Sequence, residues 1–119
     1  IGPFISHKDT PFNNYENGGL DKTITILAIT RLLLPQVLLP STTALSSIDP
    51  KGRELGIKAG CNVIMPNLSP MSQRKKYSLY DNKAYILDED AEYRKMIDKN
   101  ISEFGFKVEE SRGDNPNFM

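Results

Sequence analysis

The stretch Leu39-Pro40-Ser41-Thr42-Thr43-Ala44 restricts the possible folds most. Apolar residues lead into it, two adjacent hydroxyls stand where the run stops, and a helix start follows soon after. A buried parallel strand reads this way when it delivers polar side chains to its C-terminal end, where open and closed α/β sheets bind ligands. Two further strand-like runs, Ile1 to Ile5 and Asn62 to Met65, can be placed on either side of it. The predicted order is strand, helix, strand, helix, strand, and then a tail.

Between the first two runs lies a polar loop from His7 to Gly19, rich in asparagine and glycine. Loops of that length in a compact domain are commonly binding or lid segments. Apolar residues at 24, 26, 27, 28, 29, 32 and 33 then fit a broad helical face, predicting a helix over 22–34 with Asp21 as N-cap, Leu20 as staple and Pro35 as stop. Asp49-Pro50 and Gly60 mark the two ends of a helix over 50–59. Pro70 to Tyr80 reads as a short basic helix or turn, and Tyr85 to Leu87 as a brief extended piece. Asp88 or Asp90 caps a last helix with a stripe at Tyr93, Ile97, Ile101 and Phe104, ended by Gly105. Ser111 to Met119 reads as a loose tail.

A chain of 119 residues is one domain or part of one. Its 15 basic and 15 acidic residues cancel, and no block of like sign occurs, so no field recruits nucleic acid or an anionic membrane. The longest apolar stretch, Ile24 to Leu39, is interrupted by Thr30, Arg31, Pro35 and Gln36, which argues against a membrane span. The single Cys61 predicts a reducing, cytoplasmic setting. A chain that opens at Ile1 directly on a strand-like run predicts a piece of something longer.

One cysteine and one histidine cannot build a zinc or iron–sulfur site, and no phosphate-binding glycine loop or nucleophile elbow is present. No catalytic residue is assigned. Thr42 and Thr43 could offer hydroxyls or N–H groups to a carboxylate ligand, although on the residues alone threonine's preference for strands is sufficient to account for them and is the favoured reading. Alternation lets at most one of them face the sheet's interior unless the strand ends between them. His7 follows the first run, where ligand groups collect, yet a lone loop histidine usually has a structural role. Met65 ends the third run, and Tyr77 and Tyr80 share one helix face. Core filling and rim packing explain these three as well.

Taken in order, several short motifs resemble one family. They are Ile1-Gly2-Pro3-Phe4-Ile5, His7, Asp9-Thr10-Pro11, Thr30-Arg31 with Leu33-Leu34-Pro35, Pro40-Ser41-Thr42-Thr43-Ala44, Gly52-Arg53-Glu54, Asn62 to Asn67, and Tyr77 with Tyr80. The set resembles the C-terminal third of the HydE family, the radical SAM proteins of [FeFe]-hydrogenase maturation within the biotin synthase-like group. The likeness covers residues 1 to 80 and is weaker beyond. It implies an α/β fold in which residues 1–80 supply the sixth to eighth βα units of a TIM-type (β/α)8 barrel, with 81–119 a C-terminal helical extension.

The resemblance further implies that Thr42 and Thr43 anchor a substrate carboxylate, that Met65, Tyr77 and Tyr80 line the same cavity, and that Phe4 and Ile5 lie near the adenine of S-adenosylmethionine. The implied cofactors of the parent are S-adenosylmethionine and a 4Fe–4S cluster. The implied activity is radical chemistry on a small-molecule or organometallic precursor of the hydrogenase dithiolate bridge. The CxxxCxxC cluster motif is absent, so this piece alone is expected to be inactive and to hold neither cofactor. Its expected partners are the missing N-terminal part of the barrel, other hydrogenase maturation proteins, and further copies of itself. Two other readings stand beside this one: a free-standing α/β module that binds a small carboxylate, and a purely structural piece that assembles through its strand edges.

Overall fold

The computed structural model describes residues 1–65, 73 and 90–115, and of residues 90–93 only the backbone. The helices among them are α1 (Leu20–Leu33), α2 (Thr43–Ile48), α3 (Gly52–Lys58) and α4 (Asp90–Glu103). None is long and apolar enough to cross a membrane. The expected helix or turn at 70–80, the extended piece at 85–87, the Asp88 cap, and Tyr77 and Tyr80 all lie outside the described residues.

The β content is smaller than predicted. No strand forms among the described residues; one isolated bridge joins Pro40 to Val63, and its sense is parallel. The Leu39 carbonyl accepts from the amides of Asn62 and Val63 at 2.9 and 3.2 Å, and Ser41 N–H donates to the Val63 carbonyl at 2.9 Å. The Leu39 amide is met by the side-chain Oδ1 of Asn62 at 2.8 Å. The central and third runs therefore lie side by side in the predicted sense, over too short a span to make a ladder.

The first run is a correction. Ile1 to Ile5 joins no ladder; instead the Phe4 carbonyl accepts from Gly18 N–H at 2.7 Å, closing the following loop on itself. Asn17 Oδ1 accepts from both the amide and the hydroxyl of Ser6 at the same neck. Pro3 has no N–H to give a ladder, and a run at the margin of the set has at most one neighbour. The predicted set of three strands is thus replaced by one parallel pair of extended segments, 37–42 and 61–65, within a mainly helical chain.

The helix predicted over 22–34 exists and starts two residues earlier. Its N-cap is Gly19, without a side-chain cap bond, while Asp21 sits inside the first turn. A carboxylate there still complements the helix dipole. Thr23 at the β-branched start and Thr30 near the end return their hydroxyls to the carbonyls of Gly19 and Ile26, at 2.9 and 2.7 Å. The helix predicted over 50–59 is shorter. Asp49 Oδ1 accepts from Lys51 N–H at 2.7 Å and so organises a turn, and α3 begins only at Gly52. A side chain at Gly52 would run into the Leu45 carbonyl of α2.

Both glycine stops are built alike. Gly60 has φ +109° and Gly105 φ +85°. After α3, Gly60 N–H reaches Ile57 O and Cys61 N–H reaches Gly56 O; after α4, Gly105 N–H reaches Ser102 O and Phe106 N–H reaches Ile101 O. These are paired Schellman bonds, which satisfy the last carbonyls of each helix.

Two apolar clusters hold the elements. Leu27, Leu39, Leu45 and Cys61 form one, flanked by Leu20, Ile24, Val37 and Ala59. It joins α1 and α2 to both extended segments. Ile57, Ile97 and Ile101 form the other, with Ile64, Met96 and Phe104 against it, and dock α4 on α3. The predicted α4 stripe is therefore present at Ile97, Ile101 and Phe104. Past Gly105, the chain as far as residue 115 forms no helix or strand.

Candidate functional site

Alternation along the central segment decides which way its side chains point. Leu39 and Ser41 are buried, each 3% exposed. Leu39 enters the cluster of α1 and α2, and Ser41 Oγ donates to the Arg53 carbonyl of α3 at 3.2 Å. Pro40 and Thr42 consequently belong to the opposite side, away from the helices. The extended segment ends at Thr42, and Thr43 is already the first residue of α2. The extended segment thus gives way to the helix between the two threonines.

Thr42 has extended backbone angles as the N-cap of α2, yet its side chain makes no cap bond. Its Oγ1 is inaccessible to solvent and has no hydrogen-bond partner among the described residues. Gly2 lies close beside it: a Cβ at position 2 would stand 2.9 Å from that oxygen. A buried hydroxyl without a partner costs about 1–3 kcal/mol. Thr43 is half-buried, and its carbonyl accepts from Ser47 Oγ at 3.1 Å.

Met65 lies two residues past Val63, as Thr42 lies two past Pro40. The parallel bridge itself joins Pro40 to Val63, and both residues follow it by two. Met65 is 59% exposed. Ile5 is half-buried, whereas Phe4 is open to solvent and touches the edge of Phe12, which in turn meets Tyr15, with ring centroids 6.4 and 5.6 Å apart. Gly2, in the same short run as Phe4 and Ile5, ties that run to Thr42. The described part of the candidate set thus draws on the ends of three consecutive segments. A shallow depression lined by Leu33 to Val37 and Asn115 lies elsewhere, at the start of the central segment. Five extended residues separate Val37 from Thr42, about 16 Å.

His7 is engaged within its loop. Its Nδ1 accepts from Asp9 N–H at 3.1 Å, and its carbonyl receives both the amide and the hydroxyl of Thr10. Cys61 is 5% exposed, and burial pushes its thiol above the ordinary value, against smaller opposing pulls from Arg31 and the chain's amino group. A protonated, buried thiol is a poor metal ligand and a poor nucleophile. No group of three histidine, cysteine or acidic side chains among the described residues could hold a metal ion.

Three contributors stand within motifs of the sequence reading but were given no role there. Gly2 matters through what it leaves uncovered, and Asn62 through the ladder amide that it satisfies. Arg31 links two helix ends: its Nε donates to the Gly60 carbonyl at 2.8 Å and its Nη1 to Pro35 O at 2.6 Å. In the sequence it shows as a cation in the last turn of an apolar helix and as part of the Thr30-Arg31 motif.

No family model matches the chain. It is 42% identical over 107 residues to the [FeFe] hydrogenase maturase subunit HydE of Thermotoga maritima, a match over 90% of this chain and 31% of that protein. It is also 29% identical over 87 residues to the 3-methylornithine synthase of Methanosarcina barkeri, over 73% of this chain and 24% of the relative. The chain spans less than a third of the length of either curated relative. The motifs running from Ile1 to Tyr80 and the match over nine-tenths of the sequence agree: the chain is a relative of HydE, corresponding to 31% of that maturase subunit.

Proposed function

We propose that the chain corresponds to the C-terminal piece of a HydE-like radical SAM enzyme and contributes one wall of its substrate cavity. Residues 1–80 correspond to the region of the sixth to eighth βα units of the (β/α)8 barrel, of which the 37–42 and 61–65 segments supply the paired part and the run Ile1 to Ile5 would need the rest of the barrel to pair, and residues 81–119 correspond to its helical extension. Thr42 and Thr43 anchor a carboxylate of a small-molecule or organometallic substrate. Met65, Tyr77 and Tyr80 line the same space, and Phe4 and Ile5 border the adenine side. One observation supports this above the rest: the Thr42 hydroxyl is buried without a partner at the end of a segment whose neighbour runs parallel. A hydroxyl placed in that way binds a charged acceptor with about 1.5–3 kcal/mol of net gain.

In such an enzyme S-adenosylmethionine, bound beside a 4Fe–4S cluster, supplies the radical. The residues of this chain do not fit the cluster, because its one cysteine is buried in an apolar cluster with a protonated thiol. The exposed ring of Phe4 offers an apolar surface to an adenine, while its carbonyl is already committed to Gly18. The contribution of this chain is accordingly to bind and orient. Cluster and radical chemistry belong to the remainder of the maturase, which is also the first expected partner, followed by other hydrogenase maturation proteins in the cytoplasm.

The test is calorimetric titration of the chain with cysteine and other small amino acids, with and without its Thr42→Val variant. Binding that is lost in Thr42→Val, in a variant that unfolds at equal or higher urea than the parent, supports the carboxylate anchor. Valine keeps the shape and removes the unpaired hydroxyl, so stability should not fall. Equal heats from the two proteins would refute the anchor. The same unpaired hydroxyl also favours a second reading, a small-carboxylate module that works alone. It predicts full affinity in the 119-residue chain, whereas the cavity-wall reading predicts at least a tenfold gain when the rest of the barrel is present.

A further inference from the structure

We infer that Asn17-Gly18 is a self-modification site at the neck of the loop between Ser6 and Asn17. The closed neck holds off cyclisation of the pair, and conversion of Asn17 to isoaspartate stops the neck from closing again. Of the asparagines in the sequence, Asn17 alone is followed by glycine. The backbone nitrogen after an asparagine can attack its side-chain amide, and glycine, with no side chain and wide backbone freedom, hinders that attack least. A bond forms between Gly18 N and Asn17 Cγ while the Cγ–Nδ2 bond breaks. The proton of Gly18 N leaves with the amide nitrogen as ammonia. Water then opens the five-membered imide at one carbonyl or the other, giving aspartate or isoaspartate, whose main chain is longer by a methylene. Water is the only co-reactant.

The fold engages both reacting groups and also makes the glycine compulsory. Gly18 N–H donates to the Phe4 carbonyl at 2.7 Å, and Asn17 Oδ1 accepts from the amide and the hydroxyl of Ser6 at 2.8 and 3.2 Å. A Cβ at position 18 would stand 2.9 Å from the Phe4 nitrogen and 3.3 Å from Pro3 Cα. Packing thus demands at 18 the residue that leaves Asn17 most open to attack. Asn17 is exposed, so water is at hand. Asn62 is the internal contrast: its Oδ1 likewise meets a neighbouring amide, that of Leu39, but Val63 follows it and the branched Cβ obstructs the approach. Loop openings take nanoseconds to microseconds, far less than this reaction needs. Asn17 therefore converts at the rate of a free peptide multiplied by the fraction of time the neck is open. The bonds from Gly18 and Ser6 hold that fraction to about a tenth or less. In isoaspartate the added methylene displaces Gly18 relative to the side-chain oxygen, so the Phe4 and Ser6 bonds are not remade together. The inference is independent of the Thr42 anchor, whose hydroxyl has no part in the neck.

The test is incubation of the chain at mildly alkaline pH beside a blocked peptide carrying Glu16-Asn17-Gly18-Gly19, with Asn17 followed by tandem mass spectrometry and isoaspartate by methyltransferase labelling. Asn17 should convert at about a tenth of the peptide's rate or less, with Asn62 intact. Ser6→Ala removes one of the bonds on Oδ1 and should speed conversion several-fold, whereas Thr42→Val should leave the rate unchanged. In the isoaspartate chain the Ser6 and Gly18 amides should lose their protection from hydrogen exchange while those of α1 keep theirs. Asn17→Asp, which retains the acceptor and the ordinary main chain, should keep the neck protected. Conversion as fast as in the peptide, a Ser6→Ala chain that converts no faster than the parent, Asn62 converting alongside Asn17, or a protected Gly18 amide in the isoaspartate chain would each overturn the inference.

Discussion

At Gly60 two separate demands converge on one residue. Its φ of +109° lies where a side chain is strained, and a Cβ there would also stand 2.6 Å from Arg31 Cγ. Gly105 carries only the first demand, since nothing lies within 4 Å of its would-be Cβ. The pair separates strain from collision. Gly105→Ala should cost about 1–2 kcal/mol in urea unfolding, the price of a left-handed alanine. Gly60→Ala should cost clearly more, because the Arg31 stem must leave Gly60 and its bond to that carbonyl is put at risk. Equal losses would mean that Arg31 gives way freely. Cys61 supplies a pH dependence. Its thiol is raised above 9.0 by burial. The folded chain therefore holds this proton more tightly than the unfolded chain does, so the contribution is intact below the unfolded value and is lost as pH rises through the folded one. Stability should decline in the alkaline range above pH 9.0, and Cys61→Ala should flatten that part of the profile measured by urea midpoint. The glycine stops were readable because one residue type meets the conformational need. The Arg31 bridge was not, because it depends on an approach across 29 residues of chain.

Legibility differs by type of element in the same way. α1 and α4 carry their apolar spacing and their stops within themselves, so the sequence located both within a few residues. α2 has six residues, less than two turns, and no periodicity can be read from so short a helix. The strands failed for a different reason: a ladder exists only between partners, and the run Ile1 to Ile5 finds its partner in the following loop, at Gly18, while Asn17 holds Ser6 just after the run. Thr42 and Met65 could be named from their positions at segment ends, each two residues past the bridge at Pro40 and Val63. Gly2 could not, because its role is to be close to Thr42 without filling the space. Between the two extended segments, Asn62 substitutes a side-chain oxygen for a missing ladder acceptor. Asn62→Ala should leave the Leu39 amide unpaired and cost about 1 kcal/mol, with faster hydrogen exchange at Leu39 and Ser41. Asn62→Asp keeps the acceptor and should restore most of the protection. Unchanged exchange in the alanine variant would show that the bridge does not depend on this side chain.

At the scale of the molecule, two apolar clusters divide the work of holding the site. The one around Leu27, Leu39 and Leu45 fixes the central segment, and with it Thr42; no α4 residue among those described belongs to it. The other joins α4 to α3 and to Ile64, the residue before Met65. The two meet through α3, whose Ile57 enters one while the adjoining Ala59 borders the other. This arrangement makes the two sides of the candidate site separable. Ile97 is 7% exposed at the centre of the second cluster, and truncating it to alanine should cost about 2–4 kcal/mol. The loss should fall on α4 first. Its amides, and that of Met65, should exchange faster in Ile97→Ala, while Leu27 and Leu45 keep near-parent protection. Leu45→Ala should act the other way, since Leu45 is fully buried beneath the start of α2 and supports the turn at Thr42. Ligand binding discriminates further: a carboxylate held by Thr42 should survive Ile97→Ala with a modest loss through Met65, and should fail in Leu45→Ala. If both variants released all amides together, the clusters would form one cooperative unit. The division of labour between the Thr42 and Met65 sides would then have no energetic basis.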